Sequence, residues 1–157
     1  MIKVNPQPRI GIDLGGTKIE AILMDSEGKI IQTERLPTPK DSYSETLISI
    51  AEIIQSLSAS DNLPIGVGTP GAISLLTGLM KNCNSTFLNG MNFQEDLEKK
   101  LGRRVRIAND ADCFTLSEAS DGAAKNYSLV FGVILGTGVG GGICLDGQLI
   151  TGINAIC

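Results

Sequence analysis

The sequence predicts an α/β fold built around a mixed sheet, and three observations carry that prediction. Three short apolar segments follow one another near the start with only turn residues between them, which is an antiparallel meander. Helical stripes then alternate with single strands, the pattern of crossover units. Glycine reaches 19 of 157 residues, above the usual share of about 7%, and two short glycine runs each join strand to strand.

Residues 9–13 read as the first strand, 19–25 as the second and 29–36 as the third. Ser26-Glu27-Gly28 supplies the turn between the last two. Leu36-Pro37-Thr38-Pro39 breaks the run. Ser42 with Glu45 makes a capping box for a first helix. Its apolar stripe is Leu47, Ile50, Ala51, Ile54 and Leu57, at helical spacing, and it is expected to end near Ser58. Residues 64–68 form a short strand running into Thr69-Pro70-Gly71, and 75–92 read as loop. Asn92 with Glu95 caps a second helix, with Phe93, Leu97 and Leu101 as its stripe and Gly102 as its stop. Residues 104–108 make a strand that ends in Asn109-Asp110. A third helix is expected from Ala111 to Ala124, turning Cys113, Leu116 and Ala119 or Ala123 inward. Residues 128–135 are a strongly apolar strand and 136–142 a glycine loop. Residues 143–145 and 148–150 then flank the hairpin dipeptide Asp146-Gly147.

Composition narrows the chemistry. The 13 Lys and Arg against 17 Asp and Glu leave a net charge of −4, which gives nucleic acid no basic face to bind. No His is present, which removes imidazole catalysis and His-ligated zinc. Trp is absent and aromatics are 4%, so base-stacking platforms are not expected. No run approaches the roughly 18 apolar residues of a membrane span, and the polar opening residues do not read as a signal peptide. Cys83, Cys113, Cys144 and Cys157 form no CxxC pair; they read as buried small hydrophobes in a reducing cytoplasm, with Cys157 as the alternative reactive thiol.

Three motifs carry candidate function. Gly11-Ile12-Asp13-Leu14-Gly15-Gly16-Thr17-Lys18 nearly matches a phosphate-binding loop, with its last two residues exchanged. A strand follows it rather than a helix, so it reads as a hairpin whose N–H groups can line an anion. Gly15 and Gly16 permit close approach and positive φ, Thr17 and Lys18 add a hydroxyl and a cation, and Asp13 is placed to hold Mg²⁺ through water. An ordinary hairpin turn is the competing reading. Gly136-Thr137-Gly138-Val139-Gly140-Gly141-Gly142 contains a dinucleotide fingerprint, but no helix follows, which rejects that fold and leaves a second phosphate hairpin. Asn109-Asp110 closes a strand just before a helix. Asp110 can take a proton from an attacking hydroxyl, and the pair can equally cap the helix.

Together with the stretch from Gly66 to Gly71, these motifs closely resemble the ROK sugar kinases, of the actin/hexokinase/Hsp70 superfamily. The resemblance runs from Arg9 to Ala155. Lys81-Asn82-Cys83-Asn84-Ser85-Thr86-Phe87-Leu88-Asn89-Gly90 looks most like bacterial fructokinases, with N-acetylglucosamine kinases the close second. The resemblance implies an actin-like ATPase (ribonuclease H-like) fold and ATP- and Mg²⁺-dependent phosphorylation of a hexose, fructose first, at the 6-hydroxyl. It implies that Gly11 to Lys18 form the first phosphate loop, and Gly136 to Gly142 with Ile143 the second. Asp110 becomes the general base. Gly71, Asn84, Asn109 and Asp110 become the sugar site. Residues 1–125 become an N-terminal lobe and 126–157 the start of a second. Gly152-Ile153-Asn154-Ala155-Ile156 looks like the approach to the family's Glu-x-Gly-His motif, and the family's zinc segment is not in these residues. The chain is therefore expected to be a catalytically incomplete cytoplasmic kinase half with a hexose partner and no nucleic acid or membrane partner. Apolar strand faces in 128–150 are expected to drive homo-oligomers or other association. The other readings are an N-acetylglucosamine kinase or glucokinase of the same family, or a non-catalytic sugar-binding regulatory module.

Overall fold

The computed structural model describes residues 7–57, 62–136, 138–152 and 155. The meander is present as β1 (Arg9–Leu14), β2 (Lys18–Met24) and β3 (Ile30–Pro37). Helix α1 (Tyr43–Ser56) carries the chain back so that β4 (Ile65–Thr69) lies parallel to β1. A small hairpin, β5 (Ala72–Ile73) with β6 (Met80–Lys81), and a 3₁₀ turn at Thr86–Leu88 follow. Helix α2 (Phe93–Leu101) then returns the chain to β7 (Val105–Asn109), parallel to β4. The resulting sheet has the order β3-β2-β1-β4-β7. It is mixed because short turns permit only antiparallel neighbours while helical crossovers return the chain in parallel.

One face of this sheet makes the core. Ile10, Ile12 and Leu14 alternate inward on β1, as do Ile19, Ala21 and Leu23 on β2. They meet Ile50, Ile53 and Ile54 of α1 and Phe93 and Leu97 of α2. The α1 stripe is wider than its spacing implied, since Thr46 and Ile53 are also buried. The Ser42 hydroxyl accepts from the Glu45 N–H at 3.4 Å, as the capping box requires. Asn92 instead turns its amide onto the Glu95 carboxylate and leaves the backbone uncapped. Gly102 ends α2 in the left-handed region at φ 66°. The expected end of α1 at Ser58 lies outside the described residues. The segment read as loop from 75 to 92 holds β6 and the 3₁₀ turn, because Met80 and Leu88 are pulled into the core.

Helix α3 (Asp110–Ser120) packs on a second sheet, β8 (Leu129–Leu135), β9 (Val139–Leu145) and β10 (Gln148–Ile150), in the order β10-β9-β8. Two expectations change here. The helix stops at Ser120 rather than Ala124, and its inward residues are Ala111 and Thr115; Cys113 is exposed. The glycine run is loop only at its start, since β9 begins at Val139. The inward residues of α3 and the glycines of β9 share a cause. A Cβ on Gly140 would stand 3.0 Å from the Ala111 Cβ, and one on Gly142 would stand 2.7 Å from the Thr115 Oγ1. The glycines of β9 are there to let α3 lie close, and only small residues fit on the helix side. Among the described residues no helix is long and apolar enough to cross a membrane.

The other face of the second sheet is bare. Leu129, Phe131, Val133 and Leu135 alternate outward on β8, joined by Val139 and Leu145 of β9. Phe131 is 68% exposed and Leu135 79%.

Candidate active site

Parallel strands set the location of the site. β1, β4 and β7 point the same way, and their carboxyl ends bring Asp13, Thr69 and Asn109-Asp110 to one side of the sheet. Ligands of open α/β sheets bind outside such ends. An open cleft of about 810 Å³ lies there, a volume suited to a small-molecule ligand. One wall is Gly15, Gly16 and Thr17; the facing wall is Gly136, Gly138, Val139, Gly140 and Gly141. Asn109 and Asp110 line it as well, as do Gly71 and Asn84.

The first glycine turn is closed by the Gly15 N–H donating to Lys18 O at 3.0 Å. The Thr38 hydroxyl pins it from behind by donating to Gly15 O at 2.7 Å. Gly16 and Thr17 line the cleft. Neither Gly15 nor Gly16 uses positive φ, contrary to expectation; Gly15 is required because a Cβ there would stand 3.0 Å from Lys18 O. Gly11, Ile12, Asp13 and Leu14 are strand residues, with Ile12 and Leu14 in the core. Lys18 turns its ammonium onto Glu20 at 3.3 Å and does not line the cleft. In the second turn the Gly136 N–H donates to Gly138 O at 2.9 Å. Gly142 and Ile143 sit on β9 away from the cleft, and Thr137 lies outside the described residues. So do Ile153, Asn154, Ile156 and Cys157.

Asn109 caps α3, its Oδ1 accepting from the Ala111 N–H at 3.0 Å and the Asp112 N–H at 3.4 Å. Its amide donates to Gly71 O at 3.3 Å, tying the helix start to the turn after β4. One Asp110 oxygen, Oδ1, accepts from the Ala111 N–H at 2.8 Å. Oδ2 remains for a ligand. The capping and the catalytic readings of Asn109-Asp110 are thus structurally compatible.

Acidic groups crowd this corner. Partial burial, and then the charge of Asp110, hold the Asp13 carboxyl above its ordinary value. The same two causes raise Asp112. Cys113 is exposed as a residue but its Sγ packs toward Gly68; this local desolvation, then the neighbouring carboxylates, push the thiol up to about 11, which leaves it protonated at neutral pH. A hydrated divalent cation fits here, because it would relieve the Asp13–Asp110 repulsion. Mg²⁺ is commonly held by one or two carboxylates completed by water and phosphate oxygens. Among the described residues no group of three or more His, Cys, Asp or Glu side chains is placed to hold a metal unaided.

Sequence reasoning missed the device that shapes the loop bearing Asn84. The Asn89 side chain accepts from the Cys83 N–H at 2.9 Å and donates to Cys83 O at 3.2 Å, copying a strand pair. Gly71 packs beneath; a Cβ there would stand 2.4 Å from the Cys83 Sγ and 2.5 Å from Lys81 O. Asn84 itself reaches across toward Gly138. Asn89→Ala is expected to release this loop at a cost of about 1–3 kcal/mol, since the Cys83 groups lose both partners. Amide hydrogen exchange checks it: the Cys83 amide should lose its protection while β1 and β4 keep theirs.

A family model described as the ROK family matches residues 9–156. The chain belongs to the ROK family. It is 38% identical over 148 residues to an N-acetyl-D-glucosamine kinase of Pectobacterium atrosepticum, covering 93% of this chain and 49% of that one. Among solved structures, it resembles an inorganic polyphosphate/ATP-glucomannokinase from Arthrobacter sp. strain KM, with 35% identity, TM-score 0.79 and coverage of 92% and 60%. It also resembles a ROK family glucokinase from Streptomyces griseus in complex with glucose and AMPPNP, with 27% identity, TM-score 0.85 and coverage of 96% and 48%. The chain spans about half the length of the curated relatives it matches. The actin-like fold expected from the motifs is the fold of this ROK chain. The curated relatives reported are N-acetyl-D-glucosamine kinases, and fructose, expected first from the motifs, is not supported by them.

Proposed function

We propose that this ROK chain is the phosphate- and sugar-binding half of an ATP-dependent hexose kinase, with N-acetylglucosamine the leading acceptor and glucose next. The observation that supports it most is Asp110: a carboxylate with Oδ1 anchored by the Ala111 N–H, in a cleft lined by two glycine turns. Asp110 Oδ2 takes the proton of the sugar hydroxyl as the hydroxyl oxygen bonds to the γ-phosphorus, the bond from that phosphorus to the β–γ bridging oxygen breaks, and ADP leaves. Asn84 and Asn109 with the Gly71 turn orient the sugar, and Gly15 to Thr17 and Gly136 to Gly138 hold the phosphates. ATP would supply the phosphoryl group, and Asp13 would hold through water a Mg²⁺ ion whose charge, when bound, would offset that of the phosphates. The reading places the protein in the cytoplasm, where ATP is available.

Calorimetry with Mg·ATP and with N-acetylglucosamine, glucose and fructose separately tests it. Binding of Mg·ATP and of an aldohexose supports the kinase half; binding of neither overturns it. Sugar binding with no nucleotide binding assigns the regulatory-module reading instead. The chain alone is expected to turn over far below the roughly 10 s⁻¹ of a typical enzyme, because in-line transfer needs a closed cleft. A coupled ADP-release assay measures that.

The bare face of β8 and β9 is proposed as an association surface. Its apolar side chains are expected to bring copies together, since patches of this kind mark sites of association. Sedimentation equilibrium should show self-association that Phe131→Ser weakens. A monomer at high concentration contradicts it.

A further inference from the structure

The end of the sheet remote from Asp110 carries a second cavity, of about 700 Å³. Arg103, Arg104 and Arg106 line it, with the carboxamides of Asn62 and Gln94. This basic cluster is out of keeping with a chain of net charge −4. Among the described residues none of the three arginines has a carboxylate at ion-pair distance. Arg103 donates from Nη2 to Leu63 O, which holds its guanidinium at the cavity wall. Glu98, the acidic residue of the lining, has its Oε1 occupied by the Val105 N–H at 3.0 Å.

Ile65 pairs with Val105 and Gly66 with Arg106, so Gly66 and Arg106 lie side by side on the face opposite the α1/α2 core. Gly66 leaves open space beside Arg106 where a side chain would stand. Guanidinium forks match phosphate oxygens in bidentate fashion.

We propose that this pocket binds the phosphate group of a small phosphorylated metabolite. The site is distinct from the catalytic cleft, since it lies at the amino ends of β4 and β7. The proposal does not depend on the kinase reading. The competing account is that the arginines only blunt the open edge of β7 against strand pairing.

Titration of the chain with inorganic phosphate and with N-acetylglucosamine 6-phosphate, followed by calorimetry and arginine side-chain NMR, tests it. Saturable binding is expected, with shifts at Arg103, Arg104 and Arg106. Arg104→Gln with Arg106→Gln should weaken it about tenfold or more, the loss of charge-assisted hydrogen bonds. Tighter binding of the sugar phosphate assigns the metabolite; equal affinities assign inorganic phosphate as the ligand. Shifts confined to Gly15–Thr17 and Gly136–Gly138 would place the phosphate in the catalytic cleft and overturn the proposal. So would shifts that chloride reproduces at equal ionic strength, or a double variant that aggregates while binding phosphate as before. The wild-type shift map stands alone if the double variant does not fold.

Discussion

Gly132→Ala is expected to lower the melting temperature by about 2–12 °C. A Cβ on Gly132 would stand 2.1 Å from the Thr115 Oγ1, 2.9 Å from its Cβ and 3.1 Å from its Cα. Rotating the threonine hydroxyl relieves only the first of these three clashes. That hydroxyl is also held, donating to Ala111 O at 2.7 Å, and Thr115 is fully buried. The helix must therefore move off the sheet. Overpacking of this kind costs about 1–3 kcal/mol, and each kcal/mol is worth roughly 2–4 °C in a domain of this size. Thr115→Ala in the same background should recover only part of the loss, because the helix backbone at residue 115 still crowds the new methyl group. A melting temperature unchanged by Gly132→Ala would mean that α3 is not seated on β8 as described. The displacement has a functional side, since α3 begins at Asp110.

That pairing also explains what the sequence made legible. The meander and the two crossovers follow from local chemistry: Gly28 turns, Ser42 caps, Gly102 stops, and apolar periods of 2 and 3.6 assign strand or helix. The mixed sheet and the positions of Asp13 and Asn109-Asp110 at strand ends came out the same way. What local chemistry does not encode is which partner a residue meets. Gly140 and Gly142 read as phosphate loop, but their missing side chains make room for α3. Cys113 reads as inward by its apolar character, yet the glycine strands admit only Ala111 and Thr115. Lys18 reads as a phosphate cation, while alternation along β2 sets it on the face of Glu20, whose carboxylate also bridges to Arg35 at 2.5 Å. The Asn89 clamp joins residues six apart through a side chain acting as backbone, which no periodicity signals.

Asp110→Asn tests the catalytic assignment with little structural cost. Asparagine keeps an oxygen to accept from the Ala111 N–H, so the start of α3 should hold its place. It cannot accept the sugar proton. In a kinase assembly containing this chain, kcat is expected to fall by about 10²–10⁴, the usual range for a lost general base. The KM for nucleotide should change little, because the phosphates rest on the glycine turns. The chain alone offers an independent readout. The Asp110 charge is one cause raising Asp13, Asp112, Cys83 and Cys113. Removing it stabilises the ionised form of each, so all four should shift downward. In NMR titration the Asp13 and Asp112 carboxyls should move toward ordinary values. At fixed alkaline pH, exposed Cys113 should react faster with a thiol reagent as its thiolate fraction rises. A kcat loss with no movement of Asp13 would place Asp110 away from Asp13, and Mg²⁺ held through Asp13 would then lose its support. Movement of Asp13 with kcat unchanged would keep the electrostatic cluster and remove Asp110 from the role of base.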